Sequence, residues 1–246
     1  MNLVTLTTRF GAAALDLVLP PRCPGCREIV DQPDRFCAEC WTDLSFITDP
    51  MCMTCGLPFE TGSFSTSGET GGIICGDCAG SSRPYDTARA ALRYDGNAIP
   101  VLLGFKHGGR THLARLMAEM MARHLPPAAD LIVPIPLDRK RLAKRGYNQA
   151  GLIARALAKR CGFPLGIDTL KRTRPTSSTA GLSRAGRFRA AQGAFAMHRS
   201  LATGQHVILI DDVMTTGATV EAASRTLKRA GAERVDVLVF ARALSA

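Results

Sequence analysis

The chain has 246 residues, 46% of them hydrophobic, enough for one medium domain plus a small one. No stretch reaches the roughly 18 consecutive apolar residues that a membrane span requires, so no membrane insertion is expected. The formal net charge is +10 but unevenly spread: residues 1–80 hold 4 Arg, no Lys and 10 acids, whereas residues 81–246 hold 27 basic and 11 acidic side chains.

In chain order, Asn2–Val18 has the spacing of an amphipathic helix and leads through Pro20-Pro21 into a cysteine-rich stretch. Segment Phe10–Leu19 is interrupted by Asp16 and lacks a basic leader and a small-residue cleavage site. It is therefore not read as a signal peptide, and a cytoplasmic location is expected. Eight of the nine cysteines then form four C-x-x-C pairs: Cys23/Cys26, Cys37/Cys40, Cys52/Cys55 and Cys75/Cys78. Two residues between thiolates let both grip one tetrahedral ion from a tight turn, and two such turns complete a four-sulfur structural site. Four pairs imply two structural Zn²⁺ ions. A disulfide framework is the alternative, but it belongs to secreted proteins. Sequential pairing leaves 10 and 19 residues between the inner cysteines, and spacing alone leaves interleaved pairing open. Gly25, Gly56 and Gly76 stand where a knuckle turn favours a residue without a side chain. The module is small and rich in Gly, Ser and Thr over 61–72, so metal binding is expected to supply folding free energy that its core lacks.

Further along, Thr87–Tyr94 reads as a strand, Asp95-Gly96 as a turn, and Ile99–Lys106 and His112–His124 as helices. The second helix carries Leu113, Leu116, Met117, Met120 and Met121 on one side, a core stripe. Leu131–Pro136 is a buried strand ended by prolines, and Asn148–Cys161 a helix with Asn148 as N-cap. Gly193–Met197 is a short strand, His206–Asp212 the central one, and Glu233–Ala241 the last. Strands alternating with helices predict an α/β fold with a parallel, doubly wound sheet, whose ligands bind outside the carboxyl ends of strands. Pro136 and Asp212 sit at such ends. Residues 139–189 hold 14 Lys/Arg against one acid, Asp168. That excess expects an anionic partner, a sugar pyrophosphate, a nucleic acid or both; general solubility charge is the plainer alternative.

The most specific stretch is Val207-Ile-Leu-Ile-Asp211-Asp212-Val213-Met214-Thr215-Thr216-Gly217-Ala218-Thr219. A short apolar strand closes on two carboxylates, a turn of small hydroxylated residues follows, and a helix pattern starts at once. Such a turn converges backbone N–H groups and a helix N-terminus on an anion. The hydroxyls of Thr215, Thr216 and Thr219 donate further, while Asp211 and Asp212 accept from sugar hydroxyls. A phosphate beside a diol describes a ribose 5-phosphate. This segment resembles the phosphoribosyl pyrophosphate (PRPP) motif of type I phosphoribosyltransferases. No Walker-type or G-x-G-x-x-G cradle competes with it.

Nearly end to end, the chain resembles the ComF family. The likeness rests on the four knuckles, Phe105-Lys106-His107-Gly-Gly-Arg110, Val133-Pro-Ile-Pro136, Lys144-Arg145-Gly146-Tyr147-Asn148-Gln149, and the Arg172/Arg174/Thr176 stretch leading to Gly193-Ala-Phe195. It implies a type I phosphoribosyltransferase fold over 83–246, preceded by an N-terminal helix and double zinc-ribbon module over 1–82. It further implies binding of PRPP, with Mg²⁺, and of single-stranded DNA, a helicase partner, and a role in DNA uptake during natural transformation. On this reading the 5-phosphate lies on Val213, Met214, Thr215, Thr216, Gly217, Ala218 and Thr219. The diol lies on Asp211 and Asp212, the candidate catalytic residues. Pyrophosphate lies near the loop after Val133, helped by Lys106, Arg139 and Arg145; a surface lysine is the alternative for Lys106. The chain departs from the family pattern at Thr179, Gly186 and Ala190, within the expected hood over the site. Two classes of function stay open: a DNA-uptake factor that uses the PRPP site as a sensor, and an active phosphoribosyltransferase of nucleotide salvage with an unknown acceptor.

Overall fold

Alternating side chains along the two central strands decide the architecture. Val207 and Leu209 pack into one apolar cluster and Ile208 and Ile210 into another; Val235, Val237 and Val239 likewise oppose Leu238 and Phe240. Strands apolar on both faces must be covered on both faces, which is the condition of a parallel sheet. The computed structural model, which describes residues 20–59, 72–174 and 183–244, has that arrangement. The helix expected over Asn2–Val18 and the departure at Thr179 lie outside the described residues.

Strands β1 (Thr87–Arg93), β2 (Leu131–Pro134), β5 (His206–Met214) and β6 (Arg234–Arg242) form one sheet in the order β1-β6-β5-β2, every pair parallel. Helices α3 (Ala98–His107), α4 (Leu113–Met121) and α6 (Gln149–Cys161) cover one face. A single 3₁₀ turn, Ala122–His124, follows α4. The other face is covered by α8 (Ala218–Arg229) and by the second cysteine cluster, whose Cys52, Cys55 and Cys75 are buried in the same core as Val237 and Val239. The cysteine-rich module also blunts the sheet edge: Ile47 N donates to Ala91 O (3.1 Å), Arg93 N to Ser45 O (2.8 Å) and Ala88 N to Thr54 O (2.7 Å). Its helices α1 (Ala38–Thr42) and α2 (Gly76–Ala79) are single turns.

Several boundaries differ from the sequence reading. Strand β5 continues past Asp212 to Met214 because Val213 and Met214 stay in register with Ala241 and Arg242. Gly193–Met197 contributes only β4 (Phe195–Met197), which stands apart from the main sheet in an antiparallel pair with β3 (Leu170–Arg172). Two basic helices are additional. In α5 (Arg139–Arg145) the Asp138 side chain accepts from Arg141 N (3.0 Å), and Gly146 closes the last turn at φ 79°, a left-handed conformation that favours glycine. In α7 (Arg184–Ala191) Ser183 caps Gly186 N at 3.2 Å.

Candidate active site and metal centres

The carboxyl ends of β2 and β5, the last turn of α3 and the two basic helices enclose a cleft of about 310 Å³. Its floor is Asp211, Asp212 and Val213; one wall is the Thr215–Thr219 turn, the other is Ile135–Leu137. Lys106, Arg141, Arg145, Arg172 and Arg187 reach in from four elements. Five cations against two carboxylates make the cleft a trap for a polyanion.

The turn has the geometry of an anion cradle. Gly217 is the N-cap of α8 at φ 82°, so the chain swings from strand to helix within Thr215–Gly217, and Ala218 and Thr219, the first residues of a twelve-residue helix, line the cleft. Val213, Thr215, Thr216, Ala218 and Thr219 line the cleft, whereas Met214 and Gly217 face a second cavity behind the turn.

The two acids differ. Burial at the cleft floor pushes the Asp211 carboxyl up to about 7, and the Asp212 charge adds to the effect. Acceptance from Asp212 N (2.9 Å) and the positive charges of Lys106 and Arg172 pull the other way. Asp212 is held by Lys106, Nζ to Oδ2 3.1 Å. Lys106 is thus a cleft residue and not a solvated helix end. Two adjacent carboxylates offer the oxygen donors that Mg²⁺ prefers, so the residues present fit that ion.

The cysteines fall into the two groups Cys23/Cys26/Cys37/Cys40 and Cys52/Cys55/Cys75/Cys78, with the sulfurs of each group within 4.8 Å of one another. Pairing is therefore sequential. Cys26 Sγ and Cys37 Sγ are 3.7 Å apart, as are Cys55 Sγ and Cys75 Sγ. A Zn–S bond of about 2.3 Å sets tetrahedral sulfurs about 3.8 Å apart, so both groups fit zinc, and a disulfide of about 2.05 Å does not describe them. Backbone amides point at the sulfurs, Cys37 N to Cys23 Sγ (3.4 Å) and Cys75 N to Cys52 Sγ (3.4 Å) among them. With all four positions filled by protein, these are structural sites. A Cβ at Gly25 would approach Cys40 Sγ to 2.9 Å, and one at Gly56, φ 67°, would meet Ala88 O at 2.3 Å. Gly76 does not share that role: a Cβ there meets nothing within 4 Å, because the residue opens α2 toward solvent.

Comparison with known proteins agrees with both halves. Residues 14–79 match the double zinc ribbon domain, and residues 87–246 match the phosphoribosyl transferase domain. The DNA utilization protein YhgH of Salmonella typhi is 30% identical, covering 79% of this chain and 85% of that protein. Competence protein F of Haemophilus influenzae is 27% identical, covering 84% and 96%. Competence protein ComFC of Bacillus subtilis is 28% identical, covering 81% of each. The chain belongs to the ComF family.

Against the ComF pattern, the structure gathers most of the expected site residues. Lys106, Arg145, Asp211 and Asp212 meet in one cleft with the turn. Arg139 does not line it. That residue is exposed at the start of α5, and Arg141 and Arg145, four apart and so on one helix face, point inward in its stead. Arg141, Arg172, Arg187 and Tyr94 are cleft residues that sequence reasoning missed. The spacing of Arg141 and Arg145, with Asp138 as a capping residue, was the available signal. Arg172 stacks over the Phe195 ring (5.0 Å to the centroid), which carries it from β3 toward the cleft. Asn148 occupies the N-cap position of α6 but makes no cap bond; its Nδ2 donates to Ile135 O (3.0 Å) and ties α6 to the opposite wall. Gly186 and Ala190 lie on α7, whose Arg187 and Ala191 line the cleft. No helix among the described residues is long and apolar enough to cross a membrane.

Proposed function

We propose that this ComF-type protein binds PRPP with Mg²⁺ in the cleft, holds single-stranded DNA on a separate groove, and serves DNA uptake in natural transformation. The observation that carries the PRPP reading is the meeting of three parts in one cleft: an anion-binding turn at Thr215–Thr219, two adjacent carboxylates, and Lys106 with Arg141 and Arg145 across from them. PRPP has a phosphate, a vicinal diol and a pyrophosphate in that order, and each part has a partner of matching chemistry. Asp211 and Asp212 would accept from the diol. Arg141 and Arg145 suit the pyrophosphate because a guanidinium offers paired donors to phosphate oxygens. Mg²⁺, when bound, would offset charge on the departing pyrophosphate. Positive charge focused at the cleft would also stabilise that group as the bond to the ribose C1 lengthens.

For the nucleic acid, the supporting feature is a groove of about 1480 Å³ where the two modules meet. Trp41, half-exposed, stands between Phe36 and Phe46 with ring centroids 6.3 and 5.1 Å away. Arg35, Arg115, Arg123, Lys159 and Arg160 line the same groove against Asp34 and Glu119. Aromatic platforms beside cations are how single strands are held without sequence choice. The aromatics near the basic run 139–189 are engaged elsewhere: the Tyr147 hydroxyl donates to Phe105 O, and Phe163 and Phe188 pack against the core clusters. The curated relatives named for competence and DNA utilization supply the setting. A salt titration of oligonucleotide binding tests this reading. The affinity falls steeply as salt rises, because phosphate contacts release counterions, and an affinity indifferent to salt overturns it.

The second reading, an active transferase, is favoured by Asp211, whose carboxyl near neutrality suits proton transfer. Pyrophosphate release from PRPP, measured against a panel of nucleobases and single-stranded DNA, separates the two. Release with any acceptor establishes the enzyme, and none with all of them leaves the sensor.

A further inference from the structure

The second cysteine cluster is wired to the back of the phosphate turn by two arginines. Arg242, near the end of β6, donates through Nη1 to Cys55 O, and its Nη2 lies 3.7 Å from Cys55 Sγ. The same residue is in register with Met214, and Ala243 N donates to Met214 O (2.9 Å), so the strand that carries Arg242 holds the residue just before the turn. Arg83 forms the other arm. Its guanidinium lies beside the Cys78 side chain, donates to Asp77 O (3.4 Å), and pairs with Glu221 at 2.8 Å. Glu221 is buried in the first turn of α8, and its Oε1 lies 3.8 Å from where a Cβ on Gly217 would stand. Arg184 of α7, the helix that also sends Arg187 into the cleft, is anchored at 2.6 Å on Asp77 of the same cluster. These contacts surround a cavity of about 220 Å³ that separates the cysteines from Met214–Gly217.

The charges explain why both arms are needed. A Zn²⁺ ion on four thiolates is a doubly negative group, and burying it requires cations in its outer shell. Glu221 is a buried carboxylate directly behind an anion-binding turn, where an unpaired negative charge would repel a phosphate. Arg83 serves both needs, lying between Cys78 and Glu221. The first cluster is built differently: Cys26 is exposed, and Arg110 reaches only the carbonyl of Pro24, at 3.4 Å.

We infer that the zinc held by Cys52, Cys55, Cys75 and Cys78 controls the phosphate turn, with Arg83 and Arg242 as the positioning residues that couple the two sites. The inference rests on the PRPP reading for its ligand but not for its structural consequence. Coupling is reciprocal: the metal firms the turn, and a phosphate ligand on the turn retains the metal.

The test uses the full chain loaded with two zinc ions, beside an Arg83→Ala/Arg242→Ala variant shown by metal analysis to hold both ions. Amide hydrogen exchange over 213–219 is expected to be about tenfold faster in the variant, within the ordinary range of such couplings, while the centre of β6 is unchanged. In the wild type, PRPP with Mg²⁺ slows transfer of one zinc of the two to a chromogenic chelator, and in the variant it slows neither. A two-zinc variant with wild-type exchange over 213–219 overturns the inference. If the wild type binds no PRPP, the reading of the cleft fails, and the exchange comparison still decides the coupling. If the double variant cannot hold both ions, Arg242→Gln, which keeps a donor for Cys55 O but not the charge, is judged by the same exchange readout.

Discussion

Lys106 Nζ lies 3.1 Å from Asp212 Oδ2, joining the last turn of α3 to the end of β5 at the floor of the cleft. Both partners are largely shielded, with 21% and 13% of their side chains exposed. The contact places a cation beside the second acid of the motif and beside the position proposed for pyrophosphate.

Lys106→Ala therefore removes a phosphate contact and also leaves Asp212 facing the ligand with its charge unmet. A hydrogen bond to a charged group contributes roughly 1.5–3 kcal/mol, so PRPP affinity should fall by about 10- to 100-fold. Calorimetric titration checks this, and an affinity within twofold of wild type would assign Lys106 to structure alone.

Asp211 predicts a particular pH dependence. Its carboxyl titrates near 7 in the folded chain and near 4 when unfolded, so the folded state binds the extra proton between those values. Stability tied to this group is thus lost as pH rises through the window, and is restored below it. Asp211→Asn removes the liability. Its melting temperature should exceed wild type by more at pH 8 than at pH 6, while PRPP binding is lost at both. A melting difference that does not change with pH contradicts the assignment.

The helical face of α5 separates three arginines that the sequence alone does not rank. Arg141→Ala and Arg145→Ala are each expected to weaken PRPP binding by about tenfold, whereas Arg139→Ala changes it by less than about twofold. The same titration series reads all three. A large effect at Arg139 would mean that α5 turns when ligand binds.

Metal analysis should return two zinc ions per chain. Loss of the second cluster is the more damaging, because Cys52, Cys55 and Cys75 belong to the main core and Cys26 of the first is exposed. Cys55→Ser should lower the melting temperature by about 10 °C or more, and Cys26→Ser by less. Equal losses would show that the two ions support the fold alike.

Much of this organisation was legible in residue order. Four knuckles, the strands around Val207–Ile210 and Val235–Val239, and the acid pair before Thr215 are local patterns that a period and a spacing reveal. The basic helices were not. Arg139–Arg145 has no apolar stripe and reads as a charge run, although Asp138 and Gly146 mark its two ends; α7 buries only Ala191. β3, three residues long, is too short for an alternation to register, and the strand read at Gly193–Met197 gave no sign that it pairs with β3 apart from the main sheet. Nor could order show that Arg172, Arg187 and Arg141 converge, since they come from three elements brought together by tertiary packing. The link from Arg242 to Cys55 spans 187 positions and leaves no local trace.

One calorimetric titration bears most directly on the cleft: PRPP with Mg²⁺ into the two-zinc wild type and into Asp211→Ala/Asp212→Ala. Saturable binding by the wild type and none by a double variant that keeps both zinc ions is the expected result. Equal binding by the two proteins would contradict the site.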